Sequence, residues 1–147
     1  MRVSRSSAER SESGQSLVEL GLSLVVVLLL LAGIVDLGRL LFFYIAMRDA
    51  AQEGAIVGEL NPRDCNAIES RVDSYLGAAY PDGFDVNILV NGADCFAAAR
   101  VESWSCEGRD IMVTVGAPFE FMMPLLGGRA FKVTASITGT VMRPACP

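Results

Sequence analysis

Leu20 to Val35 is a run of sixteen residues without a charge, rich in Leu and Val, and a lone carboxylate, Glu19, stands at its leading edge. A run of this kind is fit for a bilayer. A charge near or inside hydrocarbon costs several kcal/mol unless it is paired, so Glu19 requires a partner. Six residues, Gly14-Gln15-Ser16-Leu17-Val18-Glu19, supply a candidate. A cut after Gly14 would make the α-amine of Gln15 a cation four residues from Glu19, within reach of that carboxylate or of the Glu19 of a neighbouring copy. At about 1.5 Å per residue the sixteen residues reach about 24 Å, short of a hydrocarbon core of about 30 Å, so flanking residues must complete the span. Asp36 and Arg39, at i,i+3, pair on one helical face and extend it, and Leu40 to Met47 resumes the apolar character.

No Pro occurs between Met1 and Asn61, and Met47-Arg48-Asp49-Ala50-Ala51-Gln52-Glu53 carries the helical pattern toward Val57. One helix from Ser16 to Val57 would be about 60 Å long, twice the bilayer core, so half of it stands outside. Gly54 and Gly58, followed by Asn61-Pro62, read as its stop signals. Gly21, Ala32, Gly33 and Gly38 would permit close approach by other helices, as a filament core requires.

A compact head follows. Asp64 to Ala79 reads as a second helix, with Ile68, Val72, Tyr75, Leu76 and Ala79 on an apolar stripe. Tyr80-Pro81-Asp82-Gly83 is a turn. Phe84 to Val90 reads as a strand closed by Asn91-Gly92, Ala99 to Trp104 as a weaker one, and Asp110 to Val115 as a better one. Phe131 to Val141 alternates apolar and polar residues most clearly, giving one buried and one wet face. Phe119 to Leu126, flanked and interrupted by Pro118 and Pro124, reads as an apolar connection and not as a regular central strand. It would cover a sheet edge or meet a neighbouring subunit. The expected class is therefore α+β: a long N-terminal hydrophobic helix, half transmembrane and half exposed, then a small head with one helix and an antiparallel sheet of about four strands.

Cys65, Cys95, Cys106 and Cys146 are spaced by 30, 11 and 40 residues, without a C-x-x-C, and the chain has no His. Zinc sites use close ligand pairs, so two disulfides are expected and no metal. Of three connectivities the spacing favours Cys95 with Cys106, closing a short loop, and Cys65 with Cys146, tying the head's first helix to its last strand. All four cysteines lie after the helix while Arg2, Arg5 and Arg10 precede it, which orients the chain N-in, head-out. The formal charge is −5, and the first fourteen residues contribute +1, leaving −6 beyond them. An acidic chain without Lys/Arg clusters argues against nucleic acid as a partner. An enzyme is disfavoured too. A Ser or Cys nucleophile would lack the usual His base, Asp64, Glu69 and Asp73 lie on the wet side of the second helix, and there is no P-loop or G-x-G-x-x-G. Gly127-Gly128 before Arg129 reads as a turn, and no cofactor is expected.

The pattern of Gly14, a cut before Gln15 and Glu19 at the fifth mature position resembles the class III signal of type IV pilins and pseudopilins. Leu37-Gly38-Arg39-Leu40 and Ala50-Ala51-Gln52-Glu53-Gly54-Ala55 resemble the helix continuation of TadE-like proteins, the minor pilins of tight-adherence (Tad/Flp) pilus systems. Val113-Thr114-Val115, Pro118-Phe119, Pro124-Leu125-Leu126 and Val133 to Met142 resemble that family's closing segment. The resemblance implies a leader over 1–14, a transmembrane and assembly helix over 15–58, and an extracytoplasmic head over 59–147. It implies a structural role in a pilus used for adherence, in the bacterial inner membrane or at the cell surface after assembly. Its implied partners are a prepilin peptidase, other pilins and minor pilins met through the N-terminal helix, and the inner-membrane assembly platform. The rival reading is a membrane-anchored or secreted binding module with an ordinary signal anchor. A conventional signal has no use for a carboxylate at the border of its apolar core.

Overall fold

The computed structural model describes residues 9–77, 83–98, 106–123 and 128–142, with side chains from Gly14 onward. A single helix, α1, runs from Glu9 to Leu60. It begins earlier than the sequence pattern indicates and passes straight through Gly54 and Gly58. Those two glycines are close-approach points and not stop signals. A Cβ at Gly54 would lie 2.7 Å from Val72 Cγ2, and one at Gly58 would run into Ile111 Cδ1. The chain instead breaks at Asn61-Pro62, where proline cannot continue a helix.

Helix α2, Cys65–Leu76, starts at Asp64, whose side chain accepts a hydrogen bond from Ala67 N at 3.0 Å. This satisfies one of the orphan amides of the first turn. Cys65, Ile68, Val72 and Leu76 form its buried stripe. Tyr75, expected on that stripe, is instead exposed, because the buried face follows 65-68-72-76 and turns position 75 away. Strand β1, Asp85–Val90, and the short β2, Ala93–Asp94, form a hairpin over Asn91-Gly92. Both turn residues have positive φ, 50° and 77°, as the tight two-residue turn of such a hairpin requires. One helical turn, α3, Cys95–Ala98, follows. Strands β3, Asp110–Glu120, and β4, Ala130–Thr140, complete an antiparallel sheet in the order β2-β1-β3-β4.

The expected α+β architecture is present, with one difference in the extent of β3. Strand β3 continues through Pro118 to Glu120, so Phe119 and Glu120 belong to the sheet and not to a connection. Proline is tolerated there because β1 ends opposite Gly116, which leaves the edge facing away from β4 unpaired beyond that point. The weaker strand Ala99 to Trp104, Ala79 to Asp82 and Pro124 to Gly127 lie outside the described residues.

One core joins the parts. The odd-numbered face of β3 (Ile111, Val113, Val115, Ala117, Phe119) packs with Ile88, Val90, Ala135 and Val141 of the sheet, with the stripe of α2 and with Met47, Ala50, Ala51 and Ala55 of α1. The small residues Ala50, Ala51, Gly54, Ala55 and Gly58 let the sheet and α2 lie close on the helix. Arg71 of α2 clasps Glu53 of α1 at 2.7 Å across the outer edge of this contact. The second half of α1 is thus the centre of the head. Along its first half most large apolar side chains are exposed, and Met123 approaches it at Gly33.

Candidate functional site

Two regions of α1 carry the charged residues singled out in the sequence. Near its start, Gly14, Gln15 and Glu19 are exposed, and among the described residues nothing approaches Gly14 or Gly21. From Leu17 to Val35 the large apolar side chains except Leu29 are exposed, and the most apolar stretch between Gly14 and Leu60 is long and apolar enough to cross a membrane, with none of it buried in the protein. Gly38 is likewise open, whereas Gly33 is approached by Met123.

The second region is the point where the head first meets the helix. Asp36, the first charge after the apolar run, is 2% exposed. Its Oδ1 accepts from Met122 N at 3.2 Å and its Oδ2 from Met123 N at 2.7 Å. Arg39 Nη1 donates to Oδ1 at 3.2 Å, which completes the pair expected at i,i+3. The guanidinium also stands 5.5 Å from the centre of the Phe119 ring. Two backbone amides and a guanidinium thus satisfy the acceptors of this buried carboxyl group.

Around this lock the rings of Phe43, Phe121 and Phe131 surround Phe119 edge-on, with centroids 5.4 to 5.6 Å from it, and Phe121 stacks on Phe131 at 5.2 Å. The apolar stretch from Phe119 to Met123 therefore docks on the helix of its own chain; it does not cover a sheet edge. Sequence reasoning found Arg39 as a partner of Asp36 and missed Met122 and Met123. The available signal was a boundary carboxylate with more acceptor capacity than one arginine fills.

The length of the hairpin suits this geometry. From Gly58 to Gly33, α1 measures about 37 Å at about 1.5 Å per residue, and from Ile111 to Met123 the extended chain covers about 40 Å at about 3.3 Å per residue. Strand β3 therefore starts at the far end of the helix, against Gly58, and delivers its last residues to Asp36.

The cysteines pair differently from the expectation. Cys65 bonds to Cys95, with Cα atoms 5.9 Å apart, which rules out both Cys95 with Cys106 and Cys65 with Cys146. The reason is topological: α2 packs across β1 and brings its first residue beside the start of α3. Cys106 is also disulfide-bonded, and Cys146 lies outside the described residues. Glu69 and Asp73, with Asn66 and Ser70, line an open cleft of 560 Å³ between α2 and β1. Among the described residues no group of three His, Cys, Asp or Glu side chains could hold a metal.

The helix that carries both charged regions also carries a family pattern. Residues 14–55 match the family model described as TadE-like protein. The resemblance drawn from the sequence is borne out over that stretch. The TadE-like segment opens at Gly14, includes Glu19, Asp36 and Arg39, and closes at Ala55 in the part of α1 that the head surrounds. No curated protein and no solved structure matches the chain.

Proposed function

We propose that the protein is a minor pilin or pseudopilin that takes part in assembly of a Tad/Flp-type type IV pilus used for adherence. The first half of α1 sits in the inner membrane with the N-terminus cytoplasmic and the head outside. A prepilin peptidase cuts between Gly14 and Gln15. The freed helix then packs with other pilins and minor pilins at the assembly platform. The role is structural and not catalytic.

The observation that carries this reading is the coincidence of three features on one helix. The TadE-like match begins at Gly14, the residue of the expected cut. Glu19 follows one turn later, exposed and without a partner among the described residues, as a residue waiting for an assembly contact would be. The apolar surface from Leu17 to Val35 is largely exposed and must be covered by lipid or by other helices.

The mass of the mature protein tests the cut: it should correspond to a chain starting at Gln15, and Gly14→Trp should keep its leader. A mature terminus near Gly33 would instead mark an ordinary signal peptide and overturn the proposal. Glu19→Ala tests assembly. Membrane insertion and processing should survive, since the apolar run only lengthens, while surface pili and adherence are lost. Leaving the Gln15 amine buried and unpaired costs about 3–5 kcal/mol. Normal pili in that variant would remove the assembly role assigned to Glu19.

A further inference from the structure

The open surface near Asp36 is not confined to α1. Met122 is 74% exposed at the end of the hairpin, Phe131 is partly open beside it, and a groove of 380 Å³ runs between Leu37, Leu40, Leu41 and Tyr44 of α1 and Phe131 and Val133 of β4, with Lys132 at its rim. This apolar surface continues without a break into Ile34 and Val35, which belong to the open run. We infer that the hairpin tip, through Phe121, Met122 and Phe131, is a lipid-contact site that enters the outer interface of the bilayer crossed by α1. The inference rests on the proposed membrane span of α1.

Depth is the main argument. About twenty helical residues cross the hydrocarbon core, so a span ending at Val35 starts near Ser16 and puts Asp36 at the outer boundary. The amides of Met122 and Met123 are bonded to Asp36, which fixes the tip at that level. Met123 reaches lower still. A Cβ on Gly33 would be 3.0 Å from its Cε, and Gly33 lies three residues, about 4–5 Å, inside the boundary. Amphipathic segments seat their apolar faces about 5–10 Å into the same layer.

The chemistry of the rim agrees. Arg39, paired with Asp36 at the boundary, has a long stem that keeps its charge in the headgroup layer while the stem covers apolar surface. Lys132 instead turns to the outer face of the sheet, where its Nζ lies 2.9 Å from Asp85. Glu120 and Arg129 flank the hairpin end and are exposed. The charges there are mixed, so apolar contact and not attraction to acidic lipid drives the seating. The occupant is the edge of the acyl chains of a neutral phospholipid bilayer.

Fluorescence quenching in full-length protein reconstituted into phosphatidylcholine vesicles tests this. The only tryptophan is replaced, Trp104→Phe, and single reporters are placed by Met122→Trp at the tip, Leu24→Trp within the span and Thr138→Trp at the far end of β4. Bromine near the headgroup end of the acyl chains should quench the tip reporter severalfold more than bromine near the chain ends. The Leu24 reporter should show the opposite order, and the Thr138 reporter no quenching. Phe131→Trp gives a second tip reporter should Met122→Trp fail to form the Cys65–Cys95 bond.

A quenched Leu24 reporter with tip reporters as dark to bromine as Thr138 would overturn the lipid contact and leave the span intact. An unquenched Leu24 reporter would overturn the span and the lipid contact with it. Tip reporters shielded from iodide only at high protein-to-lipid ratio, without bromine quenching, would assign the tip to a second copy and also overturn the inference.

Discussion

Asp36 illustrates how one residue sets the relation between two parts of a chain. Its carboxylate accepts hydrogen bonds from the amides of Met122 and Met123, and it holds Arg39 over Phe119. Asp36→Ala removes the acceptor from two amides and the partner from a cation. The expected loss is about 2–4 kcal/mol, read as a lower melting temperature in detergent micelles. Asp36→Asn keeps the shape and one acceptor and should lose less. An unchanged melting temperature in Asp36→Ala would mean that the rings around Phe119 hold the tip without the carboxylate. The glycines of α1 divide by the same local test. Gly54→Ala forces its Cβ against the stiff Val72 side chain and should cost about 1–3 kcal/mol. Gly38→Ala meets nothing and should stabilise the helix by up to about 1 kcal/mol. Thermal unfolding of the two variants side by side checks the contrast.

Among elements, the Cys65–Cys95 bond has the largest single effect expected on the head. It joins the start of α2 to the start of α3 across a separation of 30 residues, a loop that contains all of β1 and β2. Closing a loop of that size contributes roughly 3 to 4 kcal/mol in the chain-entropy description. Cys65→Ser with Cys95→Ser should lower the denaturant midpoint accordingly. A proteolytic digest without reductant should release a peptide pair linked through Cys65 and Cys95, and thiol labelling of the denatured, unreduced protein should find no reactive cysteine among the described residues. Recovery of Cys95 linked to Cys106 would contradict the topology of α2 against β1. The hairpin β3–β4 is the other element with a length requirement. Its strands of eleven residues match the stretch of helix from Gly58 to Asp36, so shortening it by a residue pair from each strand should withdraw the tip from Asp36.

The molecule as a whole is one helix with a head built around its second half. The core of the head includes Met47, Ala50, Ala51 and Ala55, so the head is not a unit that hangs from a linker. A chain starting at Asn61 would expose the inner faces of α2 and the sheet and should show no cooperative unfolding. A chain starting at Val35 keeps the helical centre and should be folded, with a sharp thermal transition and near-ultraviolet dichroism. Cooperative unfolding of the shorter chain would show that the helix is dispensable to the core. The coupling has a mechanical consequence for the proposed pilus role: pulling on the first half of α1 moves the head with it, since the helix continues unbroken from Gly14 to Leu60.

Much of this organisation is written in local sequence. The uncharged run after Glu19, the 68-72-76 part of the α2 stripe and the alternation through Asp110 to Val115 and through β4 each depend on composition or on periods of 3.6 or 2 within a single segment. The absence of proline up to Asn61 is also local, and so all of these are readable from one chain. The i,i+3 pair of Asp36 and Arg39 is local for the same reason. What lay beyond reach joins residues distant in sequence. Gly54 and Gly58 look like helix ends until Val72 and Ile111 are seen to need their space. Pro118 looks like a strand breaker until β1 is seen to stop at Gly116. Four spaced cysteines allow three pairings, and only the packing of α2 across β1 selects Cys65 with Cys95. Asp36 carries no local mark of the Met122 and Met123 amides, because a hydrogen bond across more than eighty residues is decided by where the hairpin ends and not by what precedes or follows it in the chain.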